Sequence, residues 1–390
     1  MGERNHWQLL SVRDLCVTTT SGGTPSRKRP EYFVHRGIPW LKTQELSDCV
    51  LYDASEHISE VAVMESSAKL LPVGTVLVAM YGATAGQLGL LGRPMTCNQA
   101  CCALIVDEAK ADPRFLYYAL LNDRLRLRSL ANGAAQQNLN VGIISRFPIL
   151  APPLSEQRAI AAVLGALDDK IEANRRIEGR SRLLMDALFS CLQETALEAE
   201  LPLMSVVEFV FGEPFDSDFF NGDKLGRPLI RIRDLKTFIP QFFSTECRSK
   251  ETIVQPGEVL VGMDAEFRPT IWCGEPGLLN QRVCLARPRV GSLAFISKLL
   301  EAPLAEVESF KIGTTVSHLN KSDLEQIRVA LPDTRNVAKF DRTAEPLRLQ
   351  IVALHQENRC LTQLRDILLP RLLSGEIRVR GAEELLAARV

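Results

Sequence analysis

Cys97, Cys101 and Cys102 form the cluster of this chain whose residue type and spacing come nearest to metal chemistry. Cysteine zinc sites need two C-x-x-C pairs, or one pair with suitably spaced histidines. Here no histidine lies nearby and no second pair follows. The cluster therefore predicts buried thiols, which a reducing compartment keeps unbridged, and no metal bound by this chain.

The motifs of common catalytic chemistries are also missing from the sequence. It contains no G-x-x-x-x-G-K-[ST] loop, no G-x-G-x-x-G after a predicted strand, and no N/D-P-P-Y/F tetrad of an adenine methyltransferase. Pro152-Pro153 is preceded by alanine and followed by leucine, and the histidines form no metal-spaced pair. The sequence predicts a chain that binds no cofactor and is not itself an enzyme.

Composition limits the class of protein further. The chain has 390 residues, of which 46% are hydrophobic and 24% charged, enough for two or three domains with proper cores. Its formal net charge of -1 means that any nucleic-acid contact must come from local clusters such as Arg27-Lys28-Arg29. Without a signal-peptide pattern or an apolar run of about 18 residues, we expect no membrane association and a cytoplasmic location.

The sequence predicts both strands and helices, with polar loops between them. VGTVLVAMY and GEVLVGMD are β-branched runs introduced by Pro and Gly and predict strands, whereas residues 113–130 have helical periodicity. Loops rich in Gly, Thr, Asn and Gln lie between them, at 21–33, 81–89 and 132–140. The fold class predicted for this pattern is α+β.

The two halves of the chain repeat the same ordered anchors. QLLSVRDL, GIPWLKTQEL, PVGTVLVAM, Asn98-Gln99 and GAAQQNLN correspond, in order, to PLMSVVEF, GRPLIRIRDL, PGEVLVGM, Asn280-Gln281 and GTTVSHLN. The offset is nearly constant, and the insertions that shift it fall in loops. We infer two copies of one unit, each a domain of about 150 residues followed by a long helix.

Each long helix carries a heptad seam. The first follows Pro152-Pro153, with Ser155 as the expected N-cap. The seam residues are Ile160, Leu164, Leu167, Ile171, Asn174 and Leu188 on the first helix, and Leu347, Ile351, Leu354, Asn358, Leu361 and Leu368 on the second.

The best partner for each seam is the other seam. We predict an antiparallel coiled coil within one chain, because parallel pairing would require the intervening domain to return along the whole helix. The resulting molecule is pseudo-two-fold, and a helix of roughly 40 residues acts as a spacer about 60 Å long. Asn174 and Asn358 either fix the register of the pair or are solvated where the seam weakens.

Several strings resemble the specificity subunit of type I restriction-modification systems. They are PPLSEQRAIAAVLGALDDKIEANRR, TSGGTPSRKRPEYF, GIPWLKTQEL, YGATAGQLG, LLNQRVCLA and LTQLRDILLPRLLSGEI. The resemblance extends over nearly the whole chain. The second domain departs from the first, with MDAEFRPTIWCGEPGLLNQRV in place of MYGATAGQLGLLGRPMTCNQACC. If the resemblance holds, we expect the two domains to read different bases.

This resemblance implies two target recognition domains that each read one half of a bipartite site in double-stranded DNA. It implies two docked methyltransferase subunits and additional nuclease-translocase subunits, which would use S-adenosylmethionine, ATP and magnesium. The expected segments are target recognition domains 1–152 and 199–333, spacer helices 153–198 and 334–376, and a tail 377–390.

In DNA recognition, Arg and Lys side chains favour guanine, and Asn and Gln side chains favour adenine. Contacts to phosphate set the register of the protein on the duplex. The candidates of the first domain are Thr24, Arg27, Lys28, Lys42, Tyr81, Thr84, Gln136, Gln137 and Asn138; those of the second are Arg231, Arg233, Arg268, Gln281, Arg282, His318 and Lys321. For each residue alone, solvation or an internal structural bond is the alternative.

Two domains held on one face of a duplex should meet half-sites about 10 base pairs apart, and lengthening a spacer helix by one turn should widen that spacing. Two other functions remain open for the same residues. One is a stand-alone DNA-binding regulator, and the other is a nuclease or methylase activity whose motifs are not recognisable.

Overall fold

The structure is a computed structural model that describes residues 6–131, 138–264, 266–311 and 318–379. The chain divides into two compact units. Unit 1 comprises Met1–Lys170 and Leu361–Val390, and unit 2 comprises Ile171–Cys360. Each unit therefore contains one domain and a segment of each long helix.

Unit 1 begins with short strands connected by loops and ends on a long helix. Its elements are β1 (Gln8–Ser11), β2 (Cys16–Ser21), β3 (Phe33–Val34), β4 (Ile38–Leu41), β5 (Cys49–Leu51), β6 (His57–Ile58), α1 (Glu60–Glu65), β7 (Val76–Ala79), β8 (Leu88–Leu91), β9 (Thr96–Cys97), β10 (Cys101–Val106), α2 (Pro113–Asn122), α3 (Arg124–Ser129), α4 (Val141–Ser145), β11 (Pro148–Ala151) and the start of α5 (Leu154–Gln193).

The central sheet of unit 1 has the strand order β2-β10-β7-β8-β5. Its neighbours are antiparallel except for β5 and β8, which are parallel. A second sheet has the order β3-β6-β4-β9, and β1 pairs with β11. β7 is buried at every position, as expected for a β-branched run covered on both faces.

Unit 2 repeats this layout with other residues. Its elements are the end of α5, then β12 (Ala196–Pro202), α6 (Leu203–Val206), β13 (Val207–Phe211), β14 (Phe220–Asn221), β15 (Arg227–Ile230), α7 (Asp234–Thr237), β16 (Phe242–Ser244), β17 (Ile253–Val254), β18 (Val259–Gly262), β19 (Pro269–Ile271), β20 (Gly277–Leu279), β21 (Val283–Pro288), α8 (Leu293–Leu299), α9 (Glu301–Lys311), α10 (Lys321–Gln326), β22 (Arg328–Pro332) and α11 (Thr334–Leu373).

Most strand pairings of unit 1 recur in unit 2, although, within the described residues, the central sheet of unit 2 has no strand in the place of β5. The order β13-β21-β18-β19 corresponds to β2-β10-β7-β8, and the parallel pair β15-β20 corresponds to β4-β9. β12 pairs with β22 as β1 pairs with β11. The inferred repeat is therefore present in the fold, and the predicted α+β class is confirmed.

Within unit 1, the segments of α5 and α11 run antiparallel. Asp168, far along its segment of α5, accepts a hydrogen bond from Nη1 of Arg365 at 2.9 Å, early in the segment of α11. Glu156, at the start of α5, accepts one from Arg378, just beyond the end of α11. Ile160, Leu164 and Leu368 pack in the same hydrophobic core as the sheet.

Within unit 2, the pairing is antiparallel as well. Asn174 contacts Asn358 at 3.0 Å, and the hydroxyl of Ser181, two turns later on α5, donates to Gln350 at 3.1 Å, two turns earlier on α11. The side chain of Asn174 is completely buried. The predicted antiparallel helices are thus present in each unit.

The seam residues lie in the interior of these pairs. Ile160, Leu164, Leu167, Ile171, Asn174, Ile351 and Leu368 are buried, and Leu188, Leu347, Leu354, Asn358 and Leu361 are partly buried. Because apolar burial stabilises a helix pair by roughly 25 cal/mol per Å², this seam is a main source of helix stability.

Two local expectations differ from the structure. Ser155 is not the N-cap, because α5 already begins at Leu154 and the carbonyl of Pro153 accepts the amides of Glu156 and Gln157 at 2.9 and 3.0 Å. The predicted spacer 153–198 also extends beyond the helix. α5 ends at Gln193, since from Ala196 onward the chain pairs with β22 and satisfies its backbone groups in a sheet.

Candidate nucleic-acid interface

The predicted reading loops of the first domain are fixed by two backbone hydrogen bonds around Met80. Its amide donates to the carbonyl of Ala100 at 2.9 Å, and its carbonyl accepts the amide of Leu139 at 2.8 Å. These bonds hold together the chain after β7, the turn before β10, and the segment before α4. Tyr81 and Asn138, both sequence candidates, directly adjoin this junction.

Two of the three cationic candidates of the first domain, Arg27 and Lys42, meet at one carboxylate. Oε1 of Glu56 accepts a hydrogen bond from Nζ of Lys42 at 2.8 Å, and its Oε2 accepts one from Nη2 of Arg27 at 2.5 Å. The pKa of Glu56 is lowered by the bond from Lys42 and by that from Arg27. Arg27 also stacks on Phe33, with its guanidinium carbon 4.0 Å from the ring centroid. Glu56 therefore orients both cations and partly neutralises them.

The remaining candidates of this domain are more exposed. Thr24 bonds to the exposed Gln99, and the hydroxyl of Thr84 donates to the carbonyl of Tyr81 at 3.2 Å, closing a turn. Lys28 is exposed at the tip of its loop. Gln136 and Gln137 lie outside the described residues.

The second domain builds the same junction around Met263. The amide of Met263 donates to the carbonyl of Arg282 at 2.9 Å, and its carbonyl accepts the amide of Leu319 at 2.8 Å. Met263, Arg282 and Leu319 thus correspond to Met80, Ala100 and Leu139. An isolated antiparallel bridge between Asp264 and His318 adds to the junction.

Arg282 has an uncommon backbone conformation at this junction. Its φ is 71°, in the left-handed region, which costs on the order of 1 kcal/mol for a residue with a Cβ. The corresponding Ala100 is not among the positive-φ residues of the described chain. Such strain persists where surrounding bonds hold it, here including the bond to Met263.

An open groove of about 750 Å³ lies beside this junction in the second domain. Three arginines and three phenylalanines line it: Arg231, Arg233, Arg282, Phe215, Phe220 and Phe242. The guanidinium carbon of Arg231 lies 4.7 Å from the ring centroid of Phe242. Gln281 also lines the groove. Cations beside aromatic faces suit the phosphates and base planes of nucleic acid.

Two candidates of the second domain lie apart from this groove. Arg268 lines a different cavity, of about 410 Å³, beside Phe267 and Glu308. Lys321 is at the start of α10, with its ammonium 3.7 Å from Glu325. Neither residue joins the groove of Arg231, Arg233 and Arg282.

Asn98 and Asn280, which occupy the same repeat position, differ in their hydrogen bonds. Oδ1 of Asn98 accepts the amide of Ala100 at 3.2 Å. Oδ1 of Asn280 is buried and has no hydrogen-bond partner within the described part of the chain. The difference accompanies the left-handed backbone at Arg282.

Sequence reasoning missed two carboxylates of these sites, Glu56 and Asp264. Asp264 could have been found, because it occupies the repeat position of Tyr81, directly after the shared methionine. Glu56 has no comparable signal, since it lies 14 residues from Lys42 and 29 from Arg27.

The cysteine cluster lies on two neighbouring strands of unit 1, with Cys97 on β9 and Cys101 and Cys102 on β10 of the central sheet. Cys97, Cys101 and Cys102 are completely buried, as predicted. Burial raises the pKa of Cys102 to about 12, so that this thiol stays protonated. In the described ranges, no group of three or more His, Cys, Asp and Glu side chains is arranged to hold a metal.

The fold and the groove together define a two-domain recognition protein built on paired helices. Residues 5–179 match the family model of the type I restriction modification DNA specificity domain. A putative type I restriction enzyme MjaX specificity subunit of Methanocaldococcus jannaschii is 30% identical over 96% of this chain and 94% of its own length. The chain therefore belongs to the family of type I restriction-modification specificity subunits.

Other relatives agree with this assignment. The MjaIX specificity subunit of the same archaeon is 23% identical over 96% of this chain and 94% of its length. The EcoBI specificity subunit of Escherichia coli is 32% identical over 44% of this chain and 38% of its length.

The crystal structure of a type I S subunit from M. genitalium has the same fold. It matches with a TM-score of 0.66 at 18% identity, over 95% of this chain and 97% of the other. None of the helices in the described ranges combines the length and the hydropathy needed to cross a membrane.

Proposed function

We propose that this chain is the DNA-reading subunit of a type I restriction-modification complex and that it recognises a bipartite, asymmetric site in double-stranded DNA. Each target recognition domain reads one half-site. One observation carries the proposal. The same backbone junction presents Tyr81, Ala100 and Asn138 in the first domain, but different side chains in the second.

The side chains at the second junction are Asp264, Arg282 and His318. A repeated frame with unlike side chains is what an asymmetric site requires, because a homodimer of identical readers recognises two equivalent half-sites. In this proposal the helices α5 and α11 set the distance between the two readers, and a one-turn insertion in either changes the recognised spacing.

The same helices are proposed to dock two methyltransferase subunits, with nuclease-translocase subunits joining that core. Leu183 and Leu184 on α5 support this, because their side chains are 69% and 47% exposed. Arg175, Arg176 and Arg180 are exposed on the same helix. Arg365 on α11 is not available in the same way, because its guanidinium pairs with Asp168 and Asp366. Exposed apolar residues beside cations are typical of a protein interface.

The chemistry is proposed to belong to the partners. Methyl transfer would use S-adenosylmethionine on the methyltransferase subunits, and translocation and cleavage would use ATP and magnesium on the nuclease subunits. The chain itself would be non-catalytic and would act in the cytoplasm, where its DNA substrate is.

The test uses the full chain together with the methyltransferase subunits encoded by its host. The complex is purified, incubated with randomised DNA duplexes and S-adenosylmethionine, and the methylated adenines are sequenced. The proposal expects one motif of two unlike halves separated by a fixed number of unspecified base pairs. A contiguous motif, or a chain that fails to co-purify with a methyltransferase, contradicts it and favours a stand-alone regulator.

A further inference from the structure

Asp264, Arg282 and His318 come from three segments of the second domain and meet at one oxygen. Nδ1 of His318 lies 2.5 Å from Oδ1 of Asp264, and Nη1 of Arg282 lies 3.5 Å from the same oxygen. Because an ionised carboxylate can only accept, Nδ1–H of His318 donates to Asp264. Arg282 then pairs with that carboxylate.

We propose that Arg282 reads a guanine in the major groove of the half-site bound by the second domain, and that Asp264 and His318 are positioning residues for its guanidinium. The inference rests on the proposed function. It adds which base is recognised, guanine, and which residue recognises it, Arg282. Guanine presents two neighbouring acceptors, O6 and N7, which match the fork of an arginine.

The charge of this cluster favours a base edge over a phosphate. The carboxylate of Asp264 balances the positive charge of Arg282. A phosphate contact draws its free energy from uncompensated positive charge, and a carboxylate beside it repels the phosphate. A base edge carries no net charge, and its recognition depends on the direction of the donors. A neutralised but oriented arginine therefore suits a base.

The arginine is also held in place before DNA arrives. Its carbonyl accepts the amide of Met263 at 2.9 Å, and its guanidinium contacts Asp264 through Nη1. The side chain remains 54% exposed, and it lines the open groove shared with Arg231 and Arg233. Such preorganisation lowers the conformational entropy lost on binding.

The first domain supplies an internal comparison. At the positions of Asp264, Arg282 and His318 it has Tyr81, Ala100 and Asn138, without a cation. If Arg282 is a guanine reader, the half-site of the first domain needs no guanine at the corresponding position. Asn138 is suited instead to adenine.

The experiment uses the full chain co-purified with its methyltransferase subunits and a library of randomised DNA duplexes. Bound duplexes are sequenced for the wild type and for R282A, R282K and D264A, with R289A as the matched control. Arg289 is exposed, and its guanidinium lies 4.0 Å from the half-exposed Glu208, away from the groove lining.

We expect the wild type to select one G·C pair that R282A no longer selects, with a loss of discrimination of roughly 10- to 100-fold at that pair alone. R282K should lose much of the same preference, because lysine keeps the charge but lacks the planar fork. D264A should weaken preference at the same pair by a smaller factor, and R289A should leave the motif unchanged. Thermal unfolding of each complex checks that the variants are folded.

Two results would overturn the assignment while leaving the proposed function intact. The first is an unchanged motif in R282A. The second is an equal loss of affinity for all sequences, with a shallower salt dependence, which identifies a phosphate contact. A wild-type complex that selects no motif at all overturns the proposed function as well.

Discussion

Nδ2 of Asn174 donates a hydrogen bond to Oδ1 of Asn358 at 3.0 Å and thereby joins α5 to α11 within unit 2. The same nitrogen donates to Glu357 at 2.7 Å, while Oδ1 of the fully buried Asn174 has no hydrogen-bond partner among the described residues. A buried polar pair of this kind fixes the register of two helices at a cost in stability.

Replacing both asparagines by leucine should therefore stabilise unit 2. We expect N174L/N358L to raise the free energy of unfolding by about 1 to 3 kcal/mol, because two polar groups leave the seam. N174L alone should lower it, since Asn358 then loses its partner. Urea denaturation of the three proteins measures both effects, and a less stable double variant would contradict this account of the pair.

Two adjacent aspartates of α5 offer a matched comparison in unit 1. Asp168 accepts hydrogen bonds from Tyr118 Oη at 2.6 Å and from Arg365 Nη1 at 2.9 Å. Its side chain is 16% exposed. Asp169 pairs with Arg114 at 2.8 Å but is 54% exposed. Removing Asp168 leaves Tyr118 Oη without its acceptor and Arg365 with only the exposed Asp366, whereas a surface pair contributes little.

We expect D168A to lower the free energy of unfolding by about 3 kcal/mol and D169A by less than about 1 kcal/mol. Denaturation curves of the two variants, measured side by side at neutral pH, test the difference. Equal losses would mean that burial does not distinguish these pairs.

His355 should make the stability of unit 2 depend on pH. Burial lowers its pKa below the ordinary value of 6.5, and the nearby cations of Arg359 and Arg182 act in the same direction, while Glu178 opposes them. Its ring lies 4.7 Å from that of Phe238. As pH falls, the unfolded chain takes up the proton first, so stability is full above 6.5 and decreases below it.

The measurement is the free energy of unfolding between pH 5 and 8 for the wild type and H355Q. We expect the wild type to lose stability below about pH 6.5, and H355Q to lose less over the same interval. Parallel curves for the two proteins would exclude His355 as the cause.

Arg282 should illustrate a conflict between stability and recognition. Both R282G and R282A remove the guanidinium, but only glycine adopts a φ of 71° without a steric penalty. We expect R282G to be more stable than R282A by about 1 kcal/mol, while both lose the same base preference. Thermal unfolding compares the two variants, and equal stability would mean that the backbone at this position is unstrained.

The fold could be predicted from the sequence wherever the signal was local or repeated. The methionines that follow β7 and β18 mark corresponding strands, and the junction bonds of Met80 and Met263 agree to within 0.1 Å. The heptad seam likewise indicated which faces of the long helices are buried. Both patterns depend on spacing along the chain, which a single sequence contains in full.

The features of the structure that could not be predicted depend on residues far away along the chain. Residues Ala196–Pro202 form a strand because β22 pairs with them, although the sequence there continues from a helix. Glu56 and Asp264 acquire their roles from cations and a histidine far along the chain. The left-handed backbone of Arg282 has no sequence signal, since φ above zero is normally expected of glycine or asparagine.

The most direct test of the central claim is to exchange one reader and determine the new motif. Residues 199–333 are replaced by the corresponding segment of a family relative, and the complex with its methyltransferase subunits is assayed on randomised duplexes. If two unlike domains on one chain each read one half-site, only one half of the motif changes, and the other half and the spacing stay the same. Changes in both halves, or a motif that is unaffected, would contradict the claim.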